Sequence, residues 1–522
     1  MTIKRLILFF FLTPIAILLS VSSLFGSLQE PQFQSRLELY QTNIALQAQA
    51  YKPQDNDEDN FSAVKTAIVG DQPLETATQQ YQQARELVKT NLDKAQKKLA
   101  QSQTIPLPPK PLPNAPPETN PSPEQKQKNL QQSIKELENL LAELDLRLGI
   151  LQAKQGNTDV AMNIWGELEQ RPQIKPELRE TAAVLMGIWS VTPRLLPNAQ
   201  QLINKNLDGW FSSTSLIELY ELQQRQEAIS KLKAEQQEAA GEAVMKLAII
   251  ATIPTFTALI GFILLVFLIG QRWLKGKAAL LAQNADLPWS TPWGAEAILQ
   301  VFVVGFFFMG QIFVPVLIFL LPIPRPIVDV RLQALSVLVS YIMVASGALL
   351  VLYLSIKRFF PLPENWFRFR YQGAWLWWGL GGYCAALPIV VLVSLINQQL
   401  WQGQGGSNPL LQLALEGQDT VALAMFFFTA AIAAPIFEEL LFRGFLLPSL
   451  TRYISVWGAI ILSSLLFAIA HLSLSEILPL TALGIVLGIV YTRSRNLLAP
   501  MLLHSLWNSG TLLSLFILGS GN

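Results

Sequence analysis

Three ionisable residues lie within one apolar stretch of this 522-residue chain. Glu438, Glu439 and Arg443 occur in the run 420–447, which is long enough to cross a bilayer. Each charged group at such depth costs about 2.5–3.5 kcal/mol on insertion scales, so three together require a compensating role. Glu439 and Arg443 are four residues apart and share a helical face, whereas Glu438 is rotated away from them. The spacing therefore predicts a Glu439–Arg443 ion pair and leaves Glu438 available for chemistry.

The only two histidines of the chain follow this run. His471 ends the next apolar stretch, after Phe467, and His504 lies in the last stretch with Asn508 one helical turn later. Residues i and i+4 share a helical face, so His504 and Asn508 can bind the same ligand atom. A lone histidine in a membrane helix is commonly a hydrogen-bonded core group. Two histidines on the runs that follow the carboxylates instead favour a functional set.

Peptide hydrolysis is a reaction that these side chains can perform. It requires an activated water and a donor for the oxygen that becomes negative in the tetrahedral intermediate. Glu438 can accept a proton from water, His471 can orient that water, and His504 with Asn508 can hold the oxyanion. Zinc chemistry stays open as an alternative, because Glu438, His471 and His504 form a two-histidine, one-carboxylate set. Against zinc, the chain has no His-Glu-x-x-His motif.

Three motifs, Glu-Glu-x-x-x-Arg, Phe-x-x-x-His and His-x-x-x-Asn, follow one another within about 420–516. In this order they resemble the CAAX prenyl endopeptidase and bacteriocin-processing family, also called the Abi or type II CAAX protease family. The resemblance implies an all-helical intramembrane endopeptidase that acts on a peptide or membrane-protein substrate. The family is often labelled metallopeptidase, and we favour a glutamate-activated water without a cofactor over zinc. Glu438 would be the water-activating base and His471 its partner. The candidate catalytic set is Glu438, Glu439, Arg443, His471, His504 and Asn508.

The composition predicts that a membrane domain, 243–522, positions these residues. Hydrophobic residues make up 51% of the chain and charged residues only 14%, compared with about 25% charged in soluble domains. Residues 1–27 contain Lys4 and Arg5 before an apolar run, which predicts a signal anchor rather than a cleaved signal peptide. We therefore predict an all-α polytopic bundle with this anchor and eight further spans, at about 247–270, 297–321, 333–356, 374–397, 420–447, 456–471, 476–492 and 497–518.

Residues 28–242 differ from the rest of the chain in composition, being rich in Gln, Glu, Lys and Ala with helical periodicity. They predict a soluble helical domain that is interrupted by a Pro-rich linker, 104–123. The segment 144–170 resembles one tetratricopeptide hairpin around Gly156-Asn157. A hairpin that only packs on its neighbours is favoured over a peptide-binding groove, because the repeat does not recur. The domain would recruit or screen a protein partner.

Basic residues indicate the orientation of the chain. Lys and Arg are concentrated in alternate connections of the membrane domain, as at Arg272, Lys357 and Arg493. The positive-inside rule then places domain 28–242 on the non-cytoplasmic side of the membrane. The net charge of +1 gives no indication of a nucleic-acid partner, and a single cysteine, Cys384, excludes an internal disulfide.

One spacing conflicts with a bundle of full-length spans. At about 1.5 Å per residue, His504 lies about 10 Å from the cytoplasmic end of its run, whereas His471 lies more than about 20 Å from the corresponding end. A tilt, or a helix that does not fully span, must bring them together if they form one site. A function of a different class is kept as an alternative: a non-catalytic membrane adaptor that acts through domain 28–242.

Overall fold

The computed structural model describes residues 3–28, 33–52, 70–104, 123–321, 327, 329–401, 405–406 and 419–519. Within these ranges the chain forms helices and no strands, which confirms the predicted all-α fold. The chain divides into two compact units, a membrane unit of Met1–Gln34 with Ile250–Gly521, and a unit of Ser35–Ile249. Apart from its two end residues, the predicted Pro-rich linker 104–123 lies outside the described residues.

The unit Ser35–Ile249 consists of helices that follow one another along the chain: Phe33–Ala48, Pro73–Thr104, Pro123–Lys154, Thr158–Glu169, Pro176–Trp189, Ala199–Asn206, Gly209–Leu222 and the first half of Gln226–Lys275. The segment 144–170 forms a hairpin whose turn contains Gly156, at a φ of +86° that favours glycine. The fully buried Trp165 packs on Gly149, where an added Cβ would fall 2.2 Å from the indole nitrogen. This close approach holds the two helices of the hairpin together.

Eight helices among the described residues are long and apolar enough to cross a membrane, which confirms the predicted polytopic bundle. One of them is the N-terminal helix predicted as an anchor. Their bounds are Arg5–Ser27, Gln226–Ala278, Ala295–Phe319, Val330–Phe359, Trp375–Trp401, Thr420–Leu450, Leu474–Ser494 and Leu498–Gly519.

The run at 456–471 forms a shorter helix than we predict from its sequence. Helix Val456–Ile469 has 14 residues, so its length is about 21 Å at 1.5 Å per residue. This is less than the roughly 30 Å of a hydrocarbon core. The helix begins where Ser455 Oγ accepts a hydrogen bond from Gly458 N at 3.2 Å. It ends two residues before His471, so this histidine lies in the turn that follows.

The span that carries both glutamates changes its helix type along its length. It passes from α to π and back twice, through Thr420–Phe427, Phe428–Ala433, Ala434–Glu439, Leu440–Leu446 and Leu447–Leu450. The second and fourth of these segments are π-helical. Such insertions are rare and occur frequently at functional sites. Glu438 and Glu439 therefore end a short α-helical segment between two π-helical ones.

Candidate active site

A fully buried ionic cluster forms the base of the site. Arg443 donates from a terminal nitrogen to Glu439 Oε1 at 2.8 Å, and neither side chain has any exposed surface. His504 Nδ1 lies 2.9 Å from the same oxygen. Because an ionised carboxylate only accepts hydrogen bonds, His504 Nδ1 carries the proton in this contact. Glu439 thus pairs with Arg443, as its spacing predicts, and it also fixes the orientation of His504.

Helix packing places the arginine of this cluster. The second terminal nitrogen of Arg443 donates to the Gly484 carbonyl at 3.2 Å. Gly484 lies where helix Ile477–Ser494 approaches helix Val456–Ile469 so closely that an added Cβ would be 2.8 Å from the Ser464 Cβ. Only a residue without a side chain allows this approach. The glycine therefore brings its carbonyl within reach of the buried guanidinium.

Phe467 contacts both histidines. Its ring centroid is 5.0 Å from that of His471 and 5.7 Å from that of His504, in edge-to-face arrangements. The guanidinium carbon of Arg443 lies 4.5 Å above the same ring, a cation–π contact. His471 Nδ1 lies 2.9 Å from the Phe467 carbonyl oxygen. The short helix Val456–Ile469 thus ends at the level of His504, which resolves the conflict in depth between the two histidines.

Glu438 points away from the arginine and toward a cavity. Its Oε1 accepts a hydrogen bond from the Tyr341 hydroxyl at 3.2 Å, and its Oε2 lies 3.9 Å from His504 Nε2. The Glu438 side chain is 16% exposed. Glu438 and His471 both line a cavity of about 830 Å³ in the membrane unit. Both side chains therefore border space that a water or a substrate can occupy.

The rest of the cavity wall is mainly apolar and comes from several helices. Phe437 and Phe442 lie beside Glu438, and helix Val330–Ile356 contributes Tyr341. The N-terminal helix forms a further wall through residues that share one face: Thr13, Ala16, Ile17, Ser20, Val21 and Leu24. The other four candidates, Glu439, Arg443, His504 and Asn508, are not among the described residues that line this cavity.

Asn508 is bound to the backbone of the span that carries the glutamates. Its Nδ2 donates to the Ala430 carbonyl at 2.7 Å, and the Ser505 hydroxyl donates to the Ala431 carbonyl at 2.5 Å. Both acceptors belong to the π-helical segment Phe428–Ala433. These bonds attach the last helix to the span that carries Glu438 and Glu439. An oxyanion-binding role for Asn508 stays a prediction.

Tyr341 is the member of the site that sequence reasoning missed. It lies 97 residues before Glu438, within an apolar run where a tyrosine has no distinctive spacing. Aromatic residues in such runs most simply mark membrane interfaces. No sequence signal could have identified this tyrosine, because its contact depends on the packing of helix Val330–Ile356 against the Glu438 span.

The N-terminal helix is attached to the membrane unit near both of its ends. Arg5 Nε lies 2.7 Å from Glu296 Oε2. At the other end, the Ser27 hydroxyl accepts a hydrogen bond from the Leu474 amide at 3.2 Å, in the loop that carries His471. Between these contacts Leu8 and Ala16 are buried in one cluster with Val303.

We expect the double variant Ser27→Cys, Leu474→Cys to form a disulfide in a Cys384→Ala background. The observed hydrogen bond limits the separation of the two Cα atoms to about 7 Å, the upper end of the disulfide range. Gel mobility before and after reduction measures the crosslink. Ser22, on another face of the helix, supplies the control pair Ser22→Cys, Leu474→Cys. Failure of the Ser27 pair to crosslink in the membrane would contradict retention of this helix beside the His471 loop.

Comparison with known protein families identifies the part of the chain that contains the candidate site. Residues 420–510 match the family model described as type II CAAX prenyl endopeptidase Rce1-like. The family resemblance is confirmed for this segment. It contains all six residues of the candidate catalytic set. The N-terminal helix and Tyr341 lie outside the segment.

Three relatives are similar to part of the chain. YdiL of Bacillus subtilis (strain 168), named as a candidate membrane peptidase, is 27% identical over 132 residues, which cover 25% of this chain and 53% of YdiL. The membrane-embedded CAAX protease MroQ of Staphylococcus aureus (strain USA300) is 26% identical over 137 residues, 25% of this chain and 54% of MroQ. An uncharacterised 24.3 kDa protein of Escherichia coli is 40% identical over 81 residues, 15% of this chain and 37% of that protein.

The chain therefore spans about half the length of the first two relatives. No solved structure matches it significantly. The family model and the protease name of MroQ support a hydrolase of the endopeptidase class.

Proposed function

We propose that this protein is an intramembrane endopeptidase that hydrolyses a peptide bond of a membrane-associated protein or peptide. The observation that carries the proposal is that Glu438 and His471 line one cavity of about 830 Å³ within the membrane unit. A general base must lie within hydrogen-bond reach of the proton that it removes, directly or through one water. Because Glu438 lines the cavity, a water there can reach its carboxylate. The family match of residues 420–510 supports the same reaction.

In the proposed reaction Glu438 removes a proton from water, and the resulting hydroxide attacks the carbonyl carbon of the scissile bond. The carbonyl oxygen becomes an oxyanion, which requires a donor. The protonated Glu438 then gives its proton to the leaving amine, so the carboxylate is regenerated. His471 orients the water from the other side of the cavity. The two products are a new carboxyl terminus and a new amino terminus.

His504 is the proposed oxyanion donor nearest to the base. Glu439 holds its Nδ1, so Nε2 is directed toward Glu438, 3.9 Å from Oε2. The proposed role requires a hydrogen on Nε2 as well, because Nδ1 already donates to Glu439. An oxyanion near Glu438 would then receive the Nε2 hydrogen, with the second amide hydrogen of Asn508 as its partner.

The proposed reaction uses no metal ion. Within the described ranges, no group of three His, Cys, Asp or Glu side chains is arranged to hold a metal. We infer that Glu438, His471 and His504 are not zinc ligands, because they are not among groups of described residues arranged to hold a metal, and both imidazole rings instead pack edge-to-face on Phe467. Zinc would require all three to lie about 2.0–2.2 Å from one point. No step of the reaction is therefore routed through a metal.

We expect cleavage by the purified protein to be unchanged by a metal chelator. Glutamate-activated water has no metal to lose, whereas a catalytic zinc would be withdrawn on prolonged dialysis. Turnover before and after dialysis against the chelator, together with metal analysis of the same sample, measures this. Loss of activity that zinc restores would favour the metal-dependent alternative instead.

The cavity suits an apolar substrate segment. Its volume lies within the roughly 300–1,000 Å³ of typical ligand sites, and its walls are mainly aliphatic and aromatic side chains. We propose a membrane-embedded or lipid-modified peptide as the substrate class, with the bilayer as its source. The protease name of MroQ refers to that protein, and the substrate of the present chain need not carry a prenyl group.

We propose that the unit Ser35–Ile249 lies on the non-cytoplasmic side and binds a protein partner. Lys357 and Arg358 follow helix Val330–Ile356, and Arg493 lies in the last turn of helix Ile477–Ser494 with Arg495 just after it, as the positive-inside rule requires of cytoplasmic ends. Accessibility of cysteines introduced into this unit to an impermeant reagent in intact cells tests the orientation. Labelling that requires permeabilised cells would overturn it.

The competing function is a membrane adaptor that retains the fold without catalysis. The variants Glu438→Gln and His471→Ala distinguish the two proposals, because an adaptor would tolerate changes to groups in an internal cavity. If both variants still support the cellular role of the protein, the peptidase proposal fails. Loss of that role in both, at normal abundance in the membrane, supports it.

A further inference from the structure

Tyr341, which contacts Glu438, lies outside the family-matched segment 420–510. Tyr341 belongs to helix Val330–Ile356, whereas every residue of the predicted catalytic set lies in the three motifs after Thr420. Its hydroxyl donates to Glu438 Oε1 at 3.2 Å, and its ring lines the same cavity as the carboxylate and His471. The hydroxyl is thus a donor on the cavity side of the base.

The two oxygens of Glu438 have different neighbours. Oε1 receives the Tyr341 hydrogen, while Oε2 lies 3.9 Å from His504 Nε2. A carboxylate on a single flexible side chain can rotate, and only some rotations direct a lone pair at a water in the cavity. The phenol restrains this rotation from the side opposite His504.

The Tyr341 ring is itself held in place. It packs edge-to-face on Phe437, the residue before Glu438, with the ring centroids 6.0 Å apart. This packing involves only the ring and would persist in a phenylalanine. The hydroxyl can therefore be removed without removing the contact between the two helices.

We propose that Tyr341 is a positioning residue for the peptidase reaction, whose hydroxyl holds Glu438 in the orientation that activates water. The inference rests on the proposed function, in which Glu438 is the base. A hydrogen bond to a charged group costs more to lose than one between neutral groups. Its loss should lower the rate of the chemical step and leave substrate binding unchanged. A tyrosine that only anchored the helix would affect stability instead.

Infrared spectroscopy of the purified protein in detergent tests the contact without any substrate. The wild-type spectrum minus that of Glu438→Gln isolates the bands of the Glu438 carboxyl group. The spectrum of Tyr341→Phe minus that of the double variant Tyr341→Phe/Glu438→Gln isolates the bands of the same carboxyl group in the absence of the Tyr341 hydroxyl. We expect the carboxyl band to change position between the two differences. An unchanged band would overturn the inference.

Turnover is measured in membranes as the rate at which new peptide termini appear. Only termini that are present with the wild type and absent with Glu438→Gln are counted. We expect Tyr341→Phe to reduce this rate roughly 10- to 100-fold at equal abundance, as for loss of one charge-assisted hydrogen bond. Half-saturating substrate concentration, measured on a quenched fluorescent peptide copied from one such terminus, should stay the same. Tyr353→Phe, on the exposed side of the same helix, is the matched control and should behave as wild type.

The outcomes separate the two proposals. If Glu438→Gln loses no termini, the proposed function fails, while the infrared difference still decides whether Tyr341 holds Glu438. If Glu438→Gln loses termini and Tyr341→Phe cuts at the wild-type rate, only the role of Tyr341 is overturned. A rise in the half-saturating concentration at an unchanged maximal rate would make Tyr341 a residue of the substrate wall and would also overturn its positioning role.

Discussion

The variant Glu439→Ala is expected to lose much of its folded membrane unit. Glu439 Oε1 is the shared acceptor of Arg443 and His504, and the Glu439 and Arg443 side chains are fully buried. Removing the carboxylate leaves the guanidinium buried without its counter-ion. Breaking a buried pair in this way costs about 3–5 kcal/mol, a large part of the roughly 5–15 kcal/mol by which folded proteins are stable.

Abundance in the membrane and thermal unfolding in detergent measure this loss. Arg331→Ala is the control, because it breaks the exposed Arg331–Asp419 pair, 2.7 Å apart. An exposed pair contributes about 0–1 kcal/mol, so this variant should unfold at nearly the wild-type temperature. Glu439→Gln should fall between the two, since its amide oxygen can still accept from Arg443. Normal abundance and thermal stability of Glu439→Ala would contradict the structural role of the buried cluster.

The variant Glu438→Gln is expected to fold normally and to lose catalysis. Glutamine has the size of glutamate, and its amide oxygen can still accept the hydrogen bond from Tyr341. It cannot take a proton from water, and general-base catalysis contributes about 100- to 10,000-fold to rate. Substitution of Glu438 should therefore lower activity and leave stability unchanged, whereas substitution of the neighbouring Glu439 should lower stability.

Turnover of a fluorescent peptide substrate by the purified variant measures this prediction, alongside its unfolding temperature. Glu364→Gln changes an exposed glutamate of the membrane unit and should leave both quantities at the wild-type value. The account of Glu438 as the base would be wrong if the variant cut at a comparable rate. A variant that failed to fold would instead place Glu438 with Glu439 as a structural residue.

The features that the sequence predicted depend on local spacing. Glu439 and Arg443 lie on one face of a helix, so their pairing follows from a four-residue separation and the high cost of leaving either charge alone in lipid. The spans follow from the lengths of their apolar runs. The same helical spacing predicts that Glu438 points away from this pair and is therefore available for chemistry.

The features that could not be predicted depend on packing between distant segments. His504 reaches Glu439 across 65 residues, and Tyr341 reaches Glu438 across 97 residues. The run at 456–471 has the composition of a span, yet its helix stops at Ile469. Hydrophobicity does not fix where such a helix ends. The close contact at Gly484 and the π-helical segments beside the glutamates likewise arise from the packing of the bundle.

A comparison of peptide termini tests the central claim most directly. Membranes from strains that produce equal amounts of the wild-type protein, Glu438→Gln and Glu364→Gln are analysed by mass spectrometry for new amino and carboxyl termini. The account predicts termini from membrane-associated proteins that are present with the wild type and the Glu364 control and absent with Glu438→Gln. The same set of termini in all three strains would contradict an intramembrane peptidase that uses Glu438 as its base.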